Sequence, residues 1–253
     1  MIFITGDCHG DIKRFSTKNF PEQKDLSKDD YVIICGDFGL VWAHGGEDKE
    51  ETHWLDWLEE KPFTTLFVDG NHENHNRLDG YPVEEWQGGR VHKIRPSVIH
   101  MMRGELYNLN GKKLFAFGGA SSHDIRDGIL DMDEEGEWRK LWKRWIAEGK
   151  LFRVRNLEWW ERELPSEEEM KRGRENLEAA GNAVDFIVTH CAPQALVEQV
   201  SKRADAPDCL TNYFDELAKT VQFQKWFFGH YHDDKQVMGK FRLLYESIVR
   251  LDL

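Results

Sequence analysis

Short apolar runs recur along the chain, and each ends in a small cluster of glycine and polar residues. Runs of this length that are rich in β-branched side chains predict buried strands, and the flanking glycines mark where each strand stops. The clearest is Tyr31–Cys35, which is followed directly by Gly36 and Asp37. The predicted strands occupy residues 1–5, 31–35, 64–68, 113–117, 185–189 and 224–228.

The segments between these strands predict helices and hairpins. Residues 49–61 have the spacing of an amphipathic helix with Trp54, Leu55, Trp57 and Leu58 on its buried face. Ser166 followed by three glutamates is typical of a capped helix start. The remaining expectations are a polar helix or loop over 12–30 and 193–222, edge strands or a hairpin over 91–99 and 101–109, and a hairpin over 236–249.

Residues 125–182 differ from the rest in being strongly charged and rich in tryptophan. Trp138, Trp142 and Trp145 fall on one helical stripe, with arginines and lysines interleaved between 139 and 155. One interpretation is a lid that presents cations and aromatic rings to a phosphorylated substrate. The other, which we favour, is a helix that packs its tryptophans inward. We predict one domain over 1–253, with 125–182 as an insertion.

Composition excludes some classes of function. The 253 residues carry a formal net charge of −12, which disfavours a dedicated binder of nucleic-acid backbones but permits anion binding through metal ions. No apolar run approaches the roughly 20 residues needed to cross a bilayer, and the first residues lack the regions of a signal peptide. The four cysteines form no Cys-x-x-Cys pair, so we expect a reduced, cytoplasmic protein.

Metal-competent side chains follow five of the predicted strands. Each cluster alone also fits ordinary turn chemistry, but ligand sites gather at the strand ends of α/β sheets, and five such ends in one chain favour a common site. The donors are oxygen and nitrogen, which suits Mn, Fe, Zn, Ni or Co and argues against Cu(I) or an iron–sulfur cluster. The residues concerned are Asp7, His9, Asp37, Asn71, His72, His190, His230 and His232.

The order of these clusters resembles a known family. Asp-x-His, Gly-Asp, Gly-Asn-His-Glu, His and Gly-His-x-His follow one another between Gly6 and His232, as in the calcineurin-like metallophosphoesterase superfamily. The resemblance implies an α/β fold, specifically a four-layer α/β/β/α sandwich of two mixed sheets flanked by helices. It also implies two divalent transition-metal ions at the sheet ends.

The resemblance further implies roles for individual residues. One metal would be held by Asp7, His9, Asp37 and His232, and the other by Asp37, Asn71, His190 and His230. Asp37 would therefore bridge the two ions and take part in catalysis. His72 resembles the family's substrate-facing histidine, which steadies the transition state or protonates the leaving group.

The sequence departs from the family pattern at three places. The family often has an arginine shortly after Gly-Asp, whereas residues 38–41 here are Phe-Gly-Leu-Val, so a phosphate clamp comes from elsewhere or is absent. Glu73 replaces the usual aspartate and is expected as a partner of His72. Tyr231 stands between the last two histidines, and we expect it to line the substrate pocket together with His123.

These inferences predict a metal-dependent phosphoric ester hydrolase. A hydroxide shared by the two metals would attack small phosphomonoesters or phosphodiesters, such as nucleotide-like substrates, without a membrane partner. A nuclease of the same superfamily is an alternative in which nucleic acid is the partner, but the acidic charge does not favour it. A non-catalytic scaffold would lack ligands, and none is missing here. The substrate, the metal pair and the oligomeric state stay open.

Overall fold

The computed structural model describes residues 1–201 and 206–251, so Asp205 of the predicted 193–222 segment lies outside the described residues. The strands in the described part are β1 (Ile2–Thr5), β2 (Tyr31–Ile34), β3 (Thr64–Phe67), β4 (Val83–Trp86), β5 (Gly89–Arg95), β6 (Val98–Met101), β7 (Glu105–Leu109), β8 (Lys112–Phe117), β9 (Ile129–Leu130), β10 (Arg153–Val154), β11 (Phe186–Thr189), β12 (Lys225–Phe228), β13 (Lys235–Val237), β14 (Phe241–Leu243) and β15 (Val249–Arg250). The α-helices there are α1 (Lys49–Glu59), α2 (His75–Leu78), α3 (Trp138–Ala147), α4 (Glu167–Ala179), α5 (Gln194–Val200) and α6 (Cys209–Thr220).

Two mixed sheets form the centre of the fold. The first has the strand order β15-β1-β2-β3-β6-β5-β4, and the second has the order β13-β14-β12-β11-β8-β7. In the first sheet β1, β2, β3 and β6 run parallel, and in the second β8, β11, β12 and β14 do so. The parallel strands therefore end at the same edge of each sheet, where their following loops meet.

Successive side chains along a strand face different cores, and this alternation explains how the layers pack. In β2, Tyr31 and Ile33 face the apolar core between the two sheets, whereas Val32 and Ile34 face the outer core beneath α1. Successive strand residues point to opposite faces, so a strand covered on both sides is apolar throughout. The second sheet packs its outer face against α4, α5 and α6. The predicted four-layer α/β/β/α sandwich is thus confirmed.

The hairpins differ from the prediction. The 91–99 run divides at Pro96, so that β5 and β6 form an antiparallel pair within the first sheet. A proline lacks a backbone N–H and fixes φ, which suits a turn better than a central strand. Residues 105–109 belong to the second sheet instead, where β7 pairs with β8. A hairpin that joins 91–99 to 101–109 is therefore wrong, while the hairpin within 236–249 is confirmed by β13 and β14.

Helix predictions also had mixed outcomes. The helix over 49–61 is confirmed as α1, and Ser166 caps α4 through a reciprocal contact with Glu169. The charged face of α3 is exposed as predicted, but its tryptophans are only half-buried, since the helix has no fully buried residue. Among the described residues, no helix combines the length and apolarity that a membrane crossing requires.

A buried ion pair fixes the loop that follows β3. The carboxylate of Asp69 accepts a hydrogen bond from Arg103 Nε at 2.9 Å, and both side chains are 2% exposed. His100 Nε2 lies 3.2 Å from the other oxygen. Burial raises the pKa of Asp69, but the charge of Arg103 and the hydrogen bond from His100 hold it well below its usual range. Arg103 also donates to the carbonyl of Arg162 at 2.6 Å and so ties this loop to the 125–182 segment.

We predict that Arg103→Met destabilises the fold strongly, because Asp69 would remain buried without its cation. The expected loss is about 3–5 kcal/mol in the free energy of unfolding, measured by urea denaturation. Arg174→Met is the matched control, since Arg174 and Glu216 form an exposed pair at 2.9 Å and should contribute below about 1 kcal/mol. Equal losses in the two variants would contradict this account of the Asp69–Arg103 pair.

Candidate metal centre

The strand ends of both sheets converge on one place. Asp7, Asp37 and Asn71 follow the neighbouring parallel strands β1, β2 and β3. His190 and His230 follow β11 and β12, which are neighbours in the second sheet. The site therefore lies where the two sheets meet, and neither sheet alone supplies all of its side chains.

Two carboxylates at this place are buried, and their charged neighbours are neither lysine nor arginine. Asp7 is 0% exposed and Asp37 is 2% exposed. The His230 backbone N–H donates to Asp7 at 2.9 Å, and the His72 backbone N–H donates to Asp37 at 2.8 Å. Within residues 1–201 and 206–251, no lysine or arginine side chain pairs with either carboxylate; their ionic neighbours are histidines. Buried carboxylates without a cation are costly, so this arrangement favours a bound one.

The donor atoms form three overlapping groups. Within each group, all donor atoms lie within 4.8 Å of one another. The groups are Asp7, His9 and His232; His9, Asp37 and His72; and Asp7, Asp37 and His190. Because Asp7, His9 and Asp37 each belong to two of them, the arrangement is one extended cluster rather than three separate ones.

At one end of the cluster, two histidine nitrogens and a carboxylate oxygen lie close together. His9 Nε2 lies 3.0 Å from His232 Nε2, and His232 Nε2 lies 3.2 Å from Asp7 Oδ2. Two imidazole nitrogens and a carboxylate oxygen at these distances need a proton or a metal ion between them. The His232 ring stacks on Tyr245 with its centroid 4.7 Å away, which holds the ring in place.

The other end is enclosed. His190 is 0% exposed, and its Nδ1 lies 2.7 Å from the carbonyl oxygen of Cys35, to which it donates. Its Nε2 therefore points at Asp37 Oδ1 and Asn71 Oδ1, each 3.3 Å away. Burial lowers the pKa of His190, but the charge of Asp37 outweighs it and raises the pKa to about 10. A metal ion that bound these three atoms would replace a proton on His190 Nε2.

Two residues that sequence reasoning missed orient Asn71. The amide Nδ2 of Asn71 donates to Ser122 Oγ at 3.4 Å, and the Ser122 backbone N–H donates to Glu163 at 2.9 Å. Glu163 is 2% exposed, and burial raises its pKa to about 8. These contacts turn the carbonyl oxygen of Asn71 towards His190. No motif marks Ser122 or Glu163, because their role depends on a contact across 41 residues of sequence.

The backbone of the site is strained. His9, Asp37, His230 and His232 have φ angles of 48°, 47°, 70° and 50°. Such angles are uncommon for residues other than glycine and cluster at functional sites. Space is also tight, since a Cβ at Gly70 would lie 2.1 Å from Asp37 Oδ1 and 2.8 Å from His190 Nε2.

The remaining predicted site residues take different places. His230 belongs to none of the three donor groups, although its ring lies 5.0 Å from that of His190 and burial lowers its pKa well below the usual range. Glu73 is fully buried, and its carboxylate accepts from the backbone of Phe38 at 2.6 Å and of Gly70. The structure thus places the Glu73 carboxylate against the backbone of the site's loops, and no hydrogen bond in the described part of the chain joins it to the ring of His72.

A cleft lies on each side of the cluster. One of about 440 Å³ is lined by His9, Leu40, Trp42, Asp48 and Trp54, among others. The other, of about 320 Å³, is lined by Ser121, His123, Gln194, His230 and Tyr231, among others. His123 and Tyr231 therefore line a cleft beside the cluster.

His72 has a neighbour that the motifs do not reveal. Its Nε2 lies 3.2 Å from Nη2 of Arg153, which enters from β10 in the 125–182 segment. The ring also lies 4.9 Å from that of His9 and 5.7 Å from that of Trp42. Burial lowers the pKa of His72 to about 4, despite the nearby charge of Asp37. The ring is therefore neutral near pH 7, between the cluster and the insertion.

Comparison with known proteins agrees with this geometry. The model of the calcineurin-like phosphoesterase family matches residues 1–234. Lariat debranching enzyme A from Xenopus laevis is 29% identical over 143 residues, which cover 51% of this chain and 26% of that protein. The human lariat debranching enzyme is 26% identical over 143 residues, which cover 51% of this chain and 25% of that protein.

A longer match comes from Drosophila pseudoobscura pseudoobscura. Its lariat debranching enzyme is 22% identical over 260 residues, which cover 91% of this chain and 42% of that protein. The chain thus spans well under half the length of the curated relatives that it matches. With a family match that spans most of the chain, and with carboxylates and imidazoles converging at the strand ends, this chain belongs to the calcineurin-like phosphoesterase family of phosphoester hydrolases.

Proposed function

We propose that this chain hydrolyses small phosphomonoesters or phosphodiesters at a centre of two divalent metal ions. The observation that carries the proposal is the pair of buried carboxylates, Asp7 and Asp37, whose polar partners among the described residues are imidazoles and backbone N–H groups. The family uses two divalent metals, and the donors present here fit that use. Oxygen and nitrogen donors accept Mn, Fe, Zn, Ni or Co, so the donor set admits manganese without selecting it.

Asp37 suits the bridging position, because its two oxygens face different parts of the cluster. Oδ2 lies 3.7 Å from His9 Nε2, whereas Oδ1 lies 3.3 Å from His190 Nε2. We assign Asp7, His9, Asp37 and His232 to one metal ion. We assign Asp37, Asn71, His190 and His230 to the other.

The bound ions would supply Lewis acidity, which makes hydroxide available near neutral pH and offsets the charge of a phosphoryl group. The chain itself orients the donors through the contacts of Cys35 with His190 and of Ser122 with Asn71. His72 stays beside Asp37 because its own backbone N–H donates to that carboxylate. From there its ring can donate a hydrogen bond to the leaving group or steady the charge that develops on it.

The surroundings favour a small substrate. The two clefts have the size of pockets that hold small molecules, and the larger one offers the aromatic faces of Trp42 and Trp54. Acidic residues outnumber the single lysine, Lys13, in its lining, and this excess of negative charge disfavours additional phosphate groups there; the acidic residues are Asp11, Asp48, Glu50 and Glu51. His123 and Tyr231 would contact the substrate from the smaller cleft. The net charge of −12 also favours a small substrate over a long polyanion.

A nucleic-acid phosphodiester is the second candidate. The relatives' names describe the debranching of a lariat, and the exposed face of α3 carries Arg139, Lys140, Lys143 and Arg144. If these residues contact a polyanion, binding weakens steeply with added salt. A small substrate bound at the clefts would show a much smaller salt dependence.

Two further proposals concern the domain organisation and the cellular location of the protein. We propose a single metallophosphoesterase domain over 1–253 with an insertion at about 125–182, since α4 of that segment packs on the second sheet. We also propose a reducing, cytoplasmic location, because all four cysteines are free.

We predict that Asp37→Asn loses metal and activity together, whereas His72→Ala keeps its metal and loses turnover. The asparagine keeps the left-handed backbone but removes the negative charge that both ions would share. The loss of turnover in His72→Ala should be about 10²- to 10⁴-fold. Metal content is measured by elemental analysis and turnover by steady-state kinetics.

His53→Ala is the control for both variants, because His53 is exposed on α1 and belongs to none of the three donor groups. Its metal content and turnover should equal those of the wild-type protein. Wild-type turnover in both Asp37→Asn and His72→Ala would refute the proposed roles.

We predict that chelation abolishes hydrolysis and that single divalent metals restore it to different degrees. The stripped protein is reloaded with Mn, Ni, Zn or Fe in turn, and each form is assayed against matched mono- and diesters and a branched oligonucleotide. Preference for a small ester that changes little between low and high salt would support the first candidate. Preference for the oligonucleotide, with a steep salt dependence, would support the second.

A further inference from the structure

The loop after Asp37 offers no cation to a substrate. Phe38 and Val41 are 0% exposed and Leu40 is 3% exposed, and all three pack in the outer core of the first sheet. The N–H groups of Phe38 and Gly39 are also occupied by the carboxylate of Glu73. A side-chain cation that contacts the phosphoryl group, in addition to the metal ions, would therefore come from another part of the chain.

Arg153 reaches the site from the insertion. It begins β10, which pairs with β9, and the whole residue is only 8% exposed. Its Nη2 lies 3.2 Å from Nε2 of His72, and a ring nitrogen of His72 belongs to a donor group with His9 and Asp37. Arginine has only donors, so Nε2 of His72 accepts this bond.

The guanidinium is held in one plane. Its Nε lies 2.7 Å from Asp124 Oδ1, its Nη2 donates to Asp124 Oδ2 at 3.0 Å, and its Nη1 donates to the carbonyl oxygen of Glu158 at 3.0 Å. These contacts fix the guanidinium group. The N–H of Nη2 that faces His72 takes part in none of them. A guanidinium remains charged when buried, and a planar fork suits the oxygens of a phosphoryl group.

Two neighbouring arginines are turned elsewhere. Arg14 lies behind Asp7 and donates to its carbonyl oxygen at 2.7 Å and to Thr5 Oγ1 at 3.0 Å. Arg155, two residues from Arg153, points outward and pairs with Asp131 and Glu161. Arg153 and Arg155 are thus close in sequence but have different partners.

We propose that Arg153 binds a non-bridging oxygen of the substrate's phosphoryl group beside His72, since residues 38–41 of the loop after Asp37 carry no cation. A phosphoryl oxygen beside His72 would accept the N–H that now faces His72 Nε2, because a charge-assisted bond to an anion is stronger than one to a neutral ring. The insertion would then contribute a side chain to the active site. This inference rests on the proposed function.

The test measures the affinity of inorganic phosphate for the metal-loaded protein by calorimetry, together with kcat/KM on a small ester. For Arg153→Gln we expect phosphate affinity and kcat/KM each to fall by about 10- to 100-fold, with unchanged metal content. Arg155→Gln is the matched control and should match the wild-type protein in all three measurements. Wild-type phosphate affinity in Arg153→Gln would overturn the proposal.

A second variant separates anion binding from a merely structural role. Asp124→Asn loosens the same clamp but keeps the guanidinium, so phosphate affinity should fall much less than in Arg153→Gln. Equal losses in the two variants would assign Arg153 to holding the insertion and would overturn the proposal. If Arg153→Gln does not fold, Arg153→Lys replaces it, and a several-fold weaker phosphate affinity supports the proposal while an unchanged one overturns it.

The two proposals fail in different ways. If the wild-type protein hydrolyses no ester with any metal, the proposed function fails, whatever the variants show. If the wild-type protein is active and Arg153→Gln equals it in kcat/KM and phosphate affinity, only the role of Arg153 fails.

Discussion

The burial of Asp7 and Asp37 without a lysine or arginine partner is the constraint on which the site depends. Removing a carboxylate from water is costly, and the backbone N–H groups of His72 and His230 compensate only part of that cost. The imidazoles of His9, His190 and His232 stand where a cation would complete the arrangement. The side chains are thus arranged for positive charge that the described part of the chain supplies only as protons on histidine.

The fold satisfies this constraint by bringing two sheets together. Asp7 and Asp37 belong to the first sheet, whereas His190 and His230 belong to the second. The apolar core between the sheets therefore sets the distance between carboxylates and imidazoles, and Gly70 leaves the space in which they meet. The Asp69–Arg103 pair then ties the loop before Gly70 to the insertion, so that the packing of the fold and the shape of the site are linked.

The sequence predicts those parts that depend on local pattern. Strand ends, the capped start of α4 and the family motifs are local, and they give the fold and the main donor set. Other features need contacts that no local pattern records: Ser122 and Glu163 orient Asn71 from far along the chain, and Arg153 reaches His72 across 81 residues. Some local signals were also missed, since Pro96 marks one turn and Asn110-Gly111, with φ of 53° and 80°, marks another. The half-buried tryptophans of α3 show that a helical stripe of aromatic residues does not by itself say how completely it is covered.

The left-handed backbone at His9, Asp37, His230 and His232 restricts which residues evolution or an engineer can place there. A valine, isoleucine or threonine would add a steric penalty to the loss of the donor, whereas asparagine and glycine tolerate such angles. Substitution tolerance at these positions is therefore limited by conformation as well as by chemistry. An inactive descendant of this chain would be expected to drift first towards asparagine or glycine at these four places.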